Sequence, residues 1–339
     1  MILAVKDRSV SILLPVRNAA ATLAAALASI RAQVGVEWEC VCVDDGSTDA
    51  TPEILQTFAL ADRRIRVVRQ SARGIVAALQ LGLDHCHGDL IARMDADDLM
   101  HPWRLACQTR ALLADPSLAG VGCRVQLFPE HRVGQGYRRY VAWLDRLLSP
   151  EDLARERFRE CPLVHPTWVL RREVLLQCSY QEVPWPEDYD LILRLFASGH
   201  RLACLPERLH FWRMHPGRTS ASHPSYSQMQ IAQCKAFHLA QGPLRYSRHY
   251  LLWGYGPTAR RLMRALACYK KEPIAIVDVH PRRLGARIGR ALVVGPHHVD
   301  TLPRLPLLVS VANDTARDAI RMFLAHSSRV EGHDWFFTA

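Results

Sequence analysis

The chain has 339 residues, 49% hydrophobic and 22% charged, so it can bury a core, is neither disordered nor fibrous, and is long enough for two domains. A formal net charge of +10 favours anionic partners, such as phosphorylated substrates or an anionic membrane surface. The basic residues form no block and no aromatic-interleaved stretch, which argues against nucleic acid, and no run reaches the roughly 18 to 20 apolar residues of a membrane span.

In chain order, Val10 to Leu14 reads as a strand, with a turn at Pro15 to Asn18 and an alanine- and leucine-rich helix from Thr22 to about Ala32. Glu39 to Val43 is a second strand and Thr51 to Leu60 a second helix. Ile65 to Val68 is a third strand, Gly74 to about His85 a third helix, and Leu90 to Met94 a fourth strand. This β-α-β-α rhythm predicts a mostly parallel sheet flanked by helices, in which ligands bind beyond the carboxyl ends of strands. Polar residues stand at those ends: Asn18, then Asp44-Asp45-Gly46-Ser47, then Asp95-Ala96-Asp97-Asp98. The alternation weakens between about 120 and 245. There Trp185-Pro-Glu187-Asp188-Tyr-Asp190 opens a helix, Phe211 to His215 follows a short strand, and Ser225 to Ala240 is an amphipathic helix ended by Gly242-Pro243. It then restarts with strands at Tyr250 to Trp253, Ile274 to Asp278 and Leu307 to Val311, and a helix from Ala259 to about Tyr269. A boundary near 245 therefore divides the chain into 1–245 and 246–339.

The ten cysteines include no C-x-x-C pair. Cys40 and Cys42 flank Val41 and point to one side of a strand, so buried free thiols are expected rather than a disulfide framework or zinc site. Charged residues follow the short apolar start at Met1, the reverse of a signal peptide, and the expected location is the cytoplasm.

Asp95, Asp97 and Asp98 place three carboxylates within four residues. At the end of a buried strand they raise one another's pKa, and a divalent cation removes the conflict. Carboxylate oxygens suit Mg²⁺ or Mn²⁺, with substrate phosphates completing the coordination. The alternative is a solvated acidic turn capping a helix that begins near Pro102. The segment from Asp44 to Asp49 likewise reads as an Asp-Gly turn with Ser47 or Asp49 as helix cap, or as an acceptor for a nucleotide base or ribose.

Four segments occur in order: Ser11 to Asn18, Val43 to Asp49, Gly74 to Gly82, and Ala92 to Asp98. Together they resemble the family 2 glycosyltransferases, inverting enzymes of the GT-A fold, over roughly residues 9 to 220. The resemblance implies a nucleoside-diphosphate-sugar donor, with a UDP-sugar favoured, a glycan or glycolipid acceptor, and hexosyl transfer in polysaccharide, lipopolysaccharide or glycoconjugate assembly. It also implies Mn²⁺ or Mg²⁺ as cofactor and peripheral contact with an anionic membrane. Pro15, Arg17 and Asn18 would border the nucleotide, Asp45 would contact the base, and Arg73 the base or diphosphate. Asp95 and Asp97 would hold ribose, sugar and metal-bound diphosphate, with Asp98 and His215 as further metal candidates. An E-D pair at a helix start matches Glu187-Asp188 and makes Asp188 the general base; the alternative is two carboxylates favouring a first helical turn. His165, in His165-Pro166-Thr167, is the acceptor-side candidate.

Gly254-Tyr-Gly256 between strand and helix, with Asp278 closing the next strand, fits a dinucleotide fingerprint and a small Rossmann-like domain. Pro257 removes a donor there, so 246–339 reads as a degenerate Rossmann-like domain used for docking, regulation or assembly. This leaves open a nucleotide-sugar-binding or NAD-linked regulatory protein or oxidoreductase, and a GT-A domain that binds without catalysis.

Overall fold

The computed structural model describes residues 5–218 and 223–339, with side chains from Ser9 onward. The described chain forms two compact units. The first comprises 1–153, 163–183 and 194–221; the second comprises 154–162, 184–193 and 222–339. The fold class is α/β, as the rhythm predicts.

The first unit carries an eight-stranded sheet. Its strands are β1 (Val5–Val16), β2 (Val36–Asp45), β3 (Ile65–Gln70), β4 (Leu90–Arg93), β5 (Leu99–Met100), β6 (Leu118–Phe128), β7 (Val169–Arg171) and β8 (Arg201–Arg213). They lie in the order β3-β2-β1-β4-β7-β6-β8-β5. β3, β2, β1 and β4 run parallel, whereas β7 is antiparallel to both β4 and β6, and β5 to β8. Near-continuous apolar runs build the parallel part because helices cover both of its faces. Ile12 and Leu14 of β1 meet Leu23, Leu27 and Ile30 of the helix Leu23–Arg31 in one buried cluster. Cys40 and Cys42 of β2 do lie on one side, their sulfurs 3.6 Å apart. Because β2 lies on one side of β1 and β4 on the other, their carboxyl ends flank a crevice.

The segment Phe211 to Arg213 differs from expectation. It ends the thirteen-residue β8 rather than following a short strand. Pro206 and Glu207 interrupt the apolar pattern within β8, and a register irregularity against β6 absorbs them.

The second unit has six strands: β9 (His249–Trp253), β10 (Glu272–Val277), β11 (Arg287–Ile288), β12 (Ala291–Val294), β13 (Leu307–Val309) and β14 (Trp335–Phe337). Their order is β11-β12-β10-β9-β13-β14. The sequence boundary at 245 falls inside this unit, because the helix Gln228–Gln241 packs on the helix Pro257–Ala267. Two short upstream segments also join it. Phe158 meets Phe336 edge to face at 5.7 Å, and the buried Lys235 ammonium donates to the carbonyls of Arg159 and Thr338. Among the described residues, no helix is long and apolar enough to cross a membrane.

Candidate functional site

In the first unit, the carboxyl ends of β1 and β2 are laced together by side chains. The backbone N–H of Asn18, at φ 48°, donates to Ser47 Oγ (3.0 Å), and Asn18 Oδ1 accepts from the Thr48 N–H (2.9 Å). Asp49 accepts from the N–H groups of Ala20 and Thr51, so it ties two loops together instead of acting only as a local cap. Pro15 pairs in register with Val43, which sets this loop level with the end of β2.

Asp45 is buried and organises the next loop. Its carboxylate accepts from Gln70 Nε2 (2.7 Å) and from the N–H groups of Arg73 (2.7 Å) and Gly74 (2.9 Å), with Arg17 Nη1 at 3.7 Å. The side chains of Arg17 and Arg73 remain exposed. A tight turn makes this possible: Gly46 has φ 69°, and a Cβ there would come within 2.7 Å of the Ala72 nitrogen. Thus Pro15, Arg17, Asn18, Asp45 and Arg73 converge on one edge of the sheet.

At the end of β4, oxygens of Asp95, Asp97 and Asp98 lie within 4.8 Å of one another. Arg93, almost fully buried, pairs with Asp95 at 2.7 Å. His215 Nε2 lies 2.7 Å from Asp97 Oδ2, so the predicted histidine stands on the cluster. Asp98 is fully enclosed, its Oδ1 accepting from the Arg213 N–H (2.7 Å) and its Oδ2 lying 2.8 Å from His210 Nε2. Burial, then repulsion from Asp95 and Asp98, pushes Asp97 up to about 6. Burial, then Asp95, pushes Asp98 up to about 8. The helix-cap alternative does not hold: the helix Arg104–Ala114 has Trp103 at its cap, with no side-chain cap bond.

This donor set fits a divalent cation. It is all carboxylate and closely spaced, and its ionisation is held back by the charge that a cation would neutralise. Asp95 and Asp97 would hold the ion. Asp98, whose oxygens meet the Arg213 N–H and His210 Nε2, also anchors the cluster to the end of β8.

Two residues that the sequence did not flag build the floor. Arg104 is wholly buried and donates to Gln108 Oε1 (3.0 Å), to the Arg93 carbonyl (3.0 Å) and to His210 Nδ1 (3.0 Å). A guanidinium only donates, so His210 Nδ1 must accept and its Nε2–H must point at Asp98. Burial, with the Arg104 charge beside it, holds the His210 pKa well below the usual range.

Glu187 and Asp188 open the helix Glu187–Ala197 and belong to the second unit. Glu187 is buried, and Asp188 Oδ1 accepts from the Tyr189 N–H (2.7 Å). Two residues on, buried Asp190 accepts from Trp185 Nε1 (2.9 Å) and meets His238 Nε2 at 3.0 Å, which fixes the start of this helix. His165, in the first unit, is buried with Nε2 2.7 Å from the Tyr180 hydroxyl and its ring against Trp168. Burial lowers its pKa well below the ordinary value.

Residues 11–178 match Glycosyl transferase family 2. EpsE of Bacillus subtilis (strain 168), whose name describes a glycosyltransferase, is 32% identical over 207 residues, covering 59% of this chain and 71% of EpsE. The amylovoran biosynthesis glycosyltransferase AmsE of Erwinia amylovora is 32% identical over 174 residues, or 50% of this chain and 62% of AmsE. Among solved structures, the mannosyltransferase PcManGT from Pyrobaculum calidifontis, in complex with GDP-Man and Mn²⁺, superposes with a TM-score of 0.55 at 21% identity. That match covers 77% of this chain and 70% of PcManGT, and it shows a shared fold.

Proposed function

The chain belongs to glycosyl transferase family 2, and from that premise we propose that it moves a sugar from a nucleoside-diphosphate sugar to an acceptor hydroxyl with inversion at the anomeric carbon. The observation that carries this reading is the cluster of Asp95, Asp97 and Asp98 at the carboxyl end of β4, with His215 against Asp97. A UDP-sugar is the first donor to test. GDP-Man with Mn²⁺ in the fold relative supports the donor class and the metal. Amylovoran biosynthesis in AmsE supports a product in polysaccharide, lipopolysaccharide or glycoconjugate assembly, for which the reading takes a hexosyl donor and a glycan or glycolipid acceptor. The net charge of +10 fits peripheral work at the cytoplasmic face of an anionic membrane.

In this reading the nucleotide lies along the edge made by Pro15, Arg17 and Asn18. Asp45, held by three donors, fixes the loop through Arg73, and the exposed Arg17 and Arg73 guanidinium groups meet base or diphosphate. When bound to Asp95 and Asp97, Mn²⁺ or Mg²⁺ supplies Lewis-acid stabilisation of the departing diphosphate. His215 orients Asp97, and Arg93 orients Asp95. Asp188 takes the acceptor proton as the hydroxyl attacks, with Glu187 beside it, and His165 shapes the acceptor side from below the surface.

The test is the anomeric configuration of the product, read by proton NMR, together with Asp188→Asn. The β product from an α-linked donor is expected, with kcat reduced roughly 10² to 10⁴-fold in the variant. A retained configuration, or near-normal transfer by Asp188→Asn, would overturn the base assignment.

A further inference from the structure

The six-stranded sheet of the second unit carries a crevice that the transfer reading does not use. β10 and β12 run parallel to β9 on one side, and β13 and β14 on the other. The chain fills the first side and then crosses to the second, so β9 and β13 flank a topological switch point, where open parallel sheets bind ligands.

Four observations converge there. First, β9 is followed by Gly254, at φ 88°, where a Cβ would lie 2.8 Å from Val311 Cγ2, so the turn hugs the end of β13. Second, Gly256 caps the helix Pro257–Ala267, and a Cβ there would meet nothing within 4 Å, which leaves open space above the first helical turn. Pro257 costs one donor, but the following N–H groups of that turn have no helical partner.

Third, Ser310, just beyond β13, is 4% exposed, and its Oγ has no hydrogen-bond partner among the described residues. Extending the strand register pairs Ser310 with Gly254. Val309 belongs to the cluster that takes in Ile320 and Leu324 of the helix Asp314–Ala325. By alternation Ser310 points to the opposite face, where a right-handed crossover puts the helix Pro257–Ala267. Its unused hydroxyl is therefore aimed at the turn.

Fourth, Asp278, just beyond β10, carries a fixed carboxylate, accepting from the His280 N–H (2.9 Å) and Arg283 Nη1 (2.8 Å). Arg283 and Arg260 each come to 5.8 Å from the Tyr255 ring, so two cations gather around the residue between the glycines.

We propose that this crevice is a second binding site, for a ligand with a ribose and a diphosphate. The diphosphate lies at Gly254–Gly256 near Ser310 and Arg260, and a ribose hydroxyl reaches Asp278. This site is separate from the donor site at Asp95–Asp98 and does not rest on the transfer reading.

The experiment titrates ADP, UDP and NAD⁺ separately into the full chain in EDTA, by calorimetry, with Gly256→Glu as comparison. At φ −81° and ψ −175°, Gly256 has backbone that any residue adopts, so the variant should fold and place a carboxylate in the cradle. Saturable 1:1 binding of at least one probe is expected, weakened tenfold or more by Gly256→Glu, while sugar transfer with Mn²⁺ stays unchanged. Preference among the probes separates a uridine nucleotide from an adenine dinucleotide. No binding by any probe, or binding indifferent to Gly256→Glu in a variant with unchanged melting temperature, would overturn the proposal. Loss of transfer in the wild type with this binding intact would instead count against the transferase reading.

Discussion

Arg104 and His210 show how much of the site lies beneath the carboxylates. Arg104 donates to His210 Nδ1, and that one bond fixes the tautomer with which His210 meets Asp98. Removing the guanidinium leaves Gln108 Oε1, the Arg93 carbonyl and His210 Nδ1 without their donor in a dry interior. We expect Arg104→Met to lose about 3 to 5 kcal/mol of unfolding free energy in urea melts, as breaking buried charged networks does. A loss below about 1 kcal/mol would mean that these bonds are not made. The acidic cluster was legible in the sequence because its three carboxylates are chain neighbours. Arg104 and His210 were not, since a lone arginine in a helix and a lone histidine in a strand signal nothing until β8 brings them together. The same limit applied to the partners of Asp98, His210 and the Arg213 N–H, which reach it only when β8 is in place.

Legibility did not follow length: the four-residue β4 was read, whereas the eleven-residue β6 was not. β1, β2 and β4 announced themselves as apolar runs ending in polar residues, and the parallel core followed. Two- and three-residue strands such as β5 and β7 carry too few side chains to show a period, and these two strands, which run against the rest of the sheet, were correspondingly hidden. The loop after β2 gives the sharpest test of an element. Gly46 combines a left-handed φ of 69° with backbone contact to Ala72, so Gly46→Ala is strained twice. It should cost about 1 to 3 kcal/mol in thermal unfolding and raise KM for the donor more than it lowers kcat, because the Asp45 bonds to Arg73 and Gly74 loosen. Unchanged stability and KM would show that this loop does not shape the donor site.

The described residues form two sheets, each built mostly of parallel strands. The β-α rhythm revealed both. It did not reveal that residues 154–162 and 184–193 join the second unit, because that depends on partners far along the chain, such as Phe336 for Phe158 and His238 for Asp190. Sequence patterns report local periodicity, and long-range packing of short segments leaves no such trace. The central claim concerns the first crevice: Asp95 and Asp97 with a divalent ion hold a nucleoside-diphosphate sugar for transfer. The direct measurement is nucleoside-diphosphate release from a panel of UDP-, GDP- and dTDP-sugars, with Mn²⁺ and with EDTA, by the wild type and Asp97→Asn. Release from at least one donor with Mn²⁺, lost in EDTA and reduced at least about 100-fold in Asp97→Asn, is the predicted result. Release that persists in EDTA, or at wild-type rate in Asp97→Asn, would contradict it.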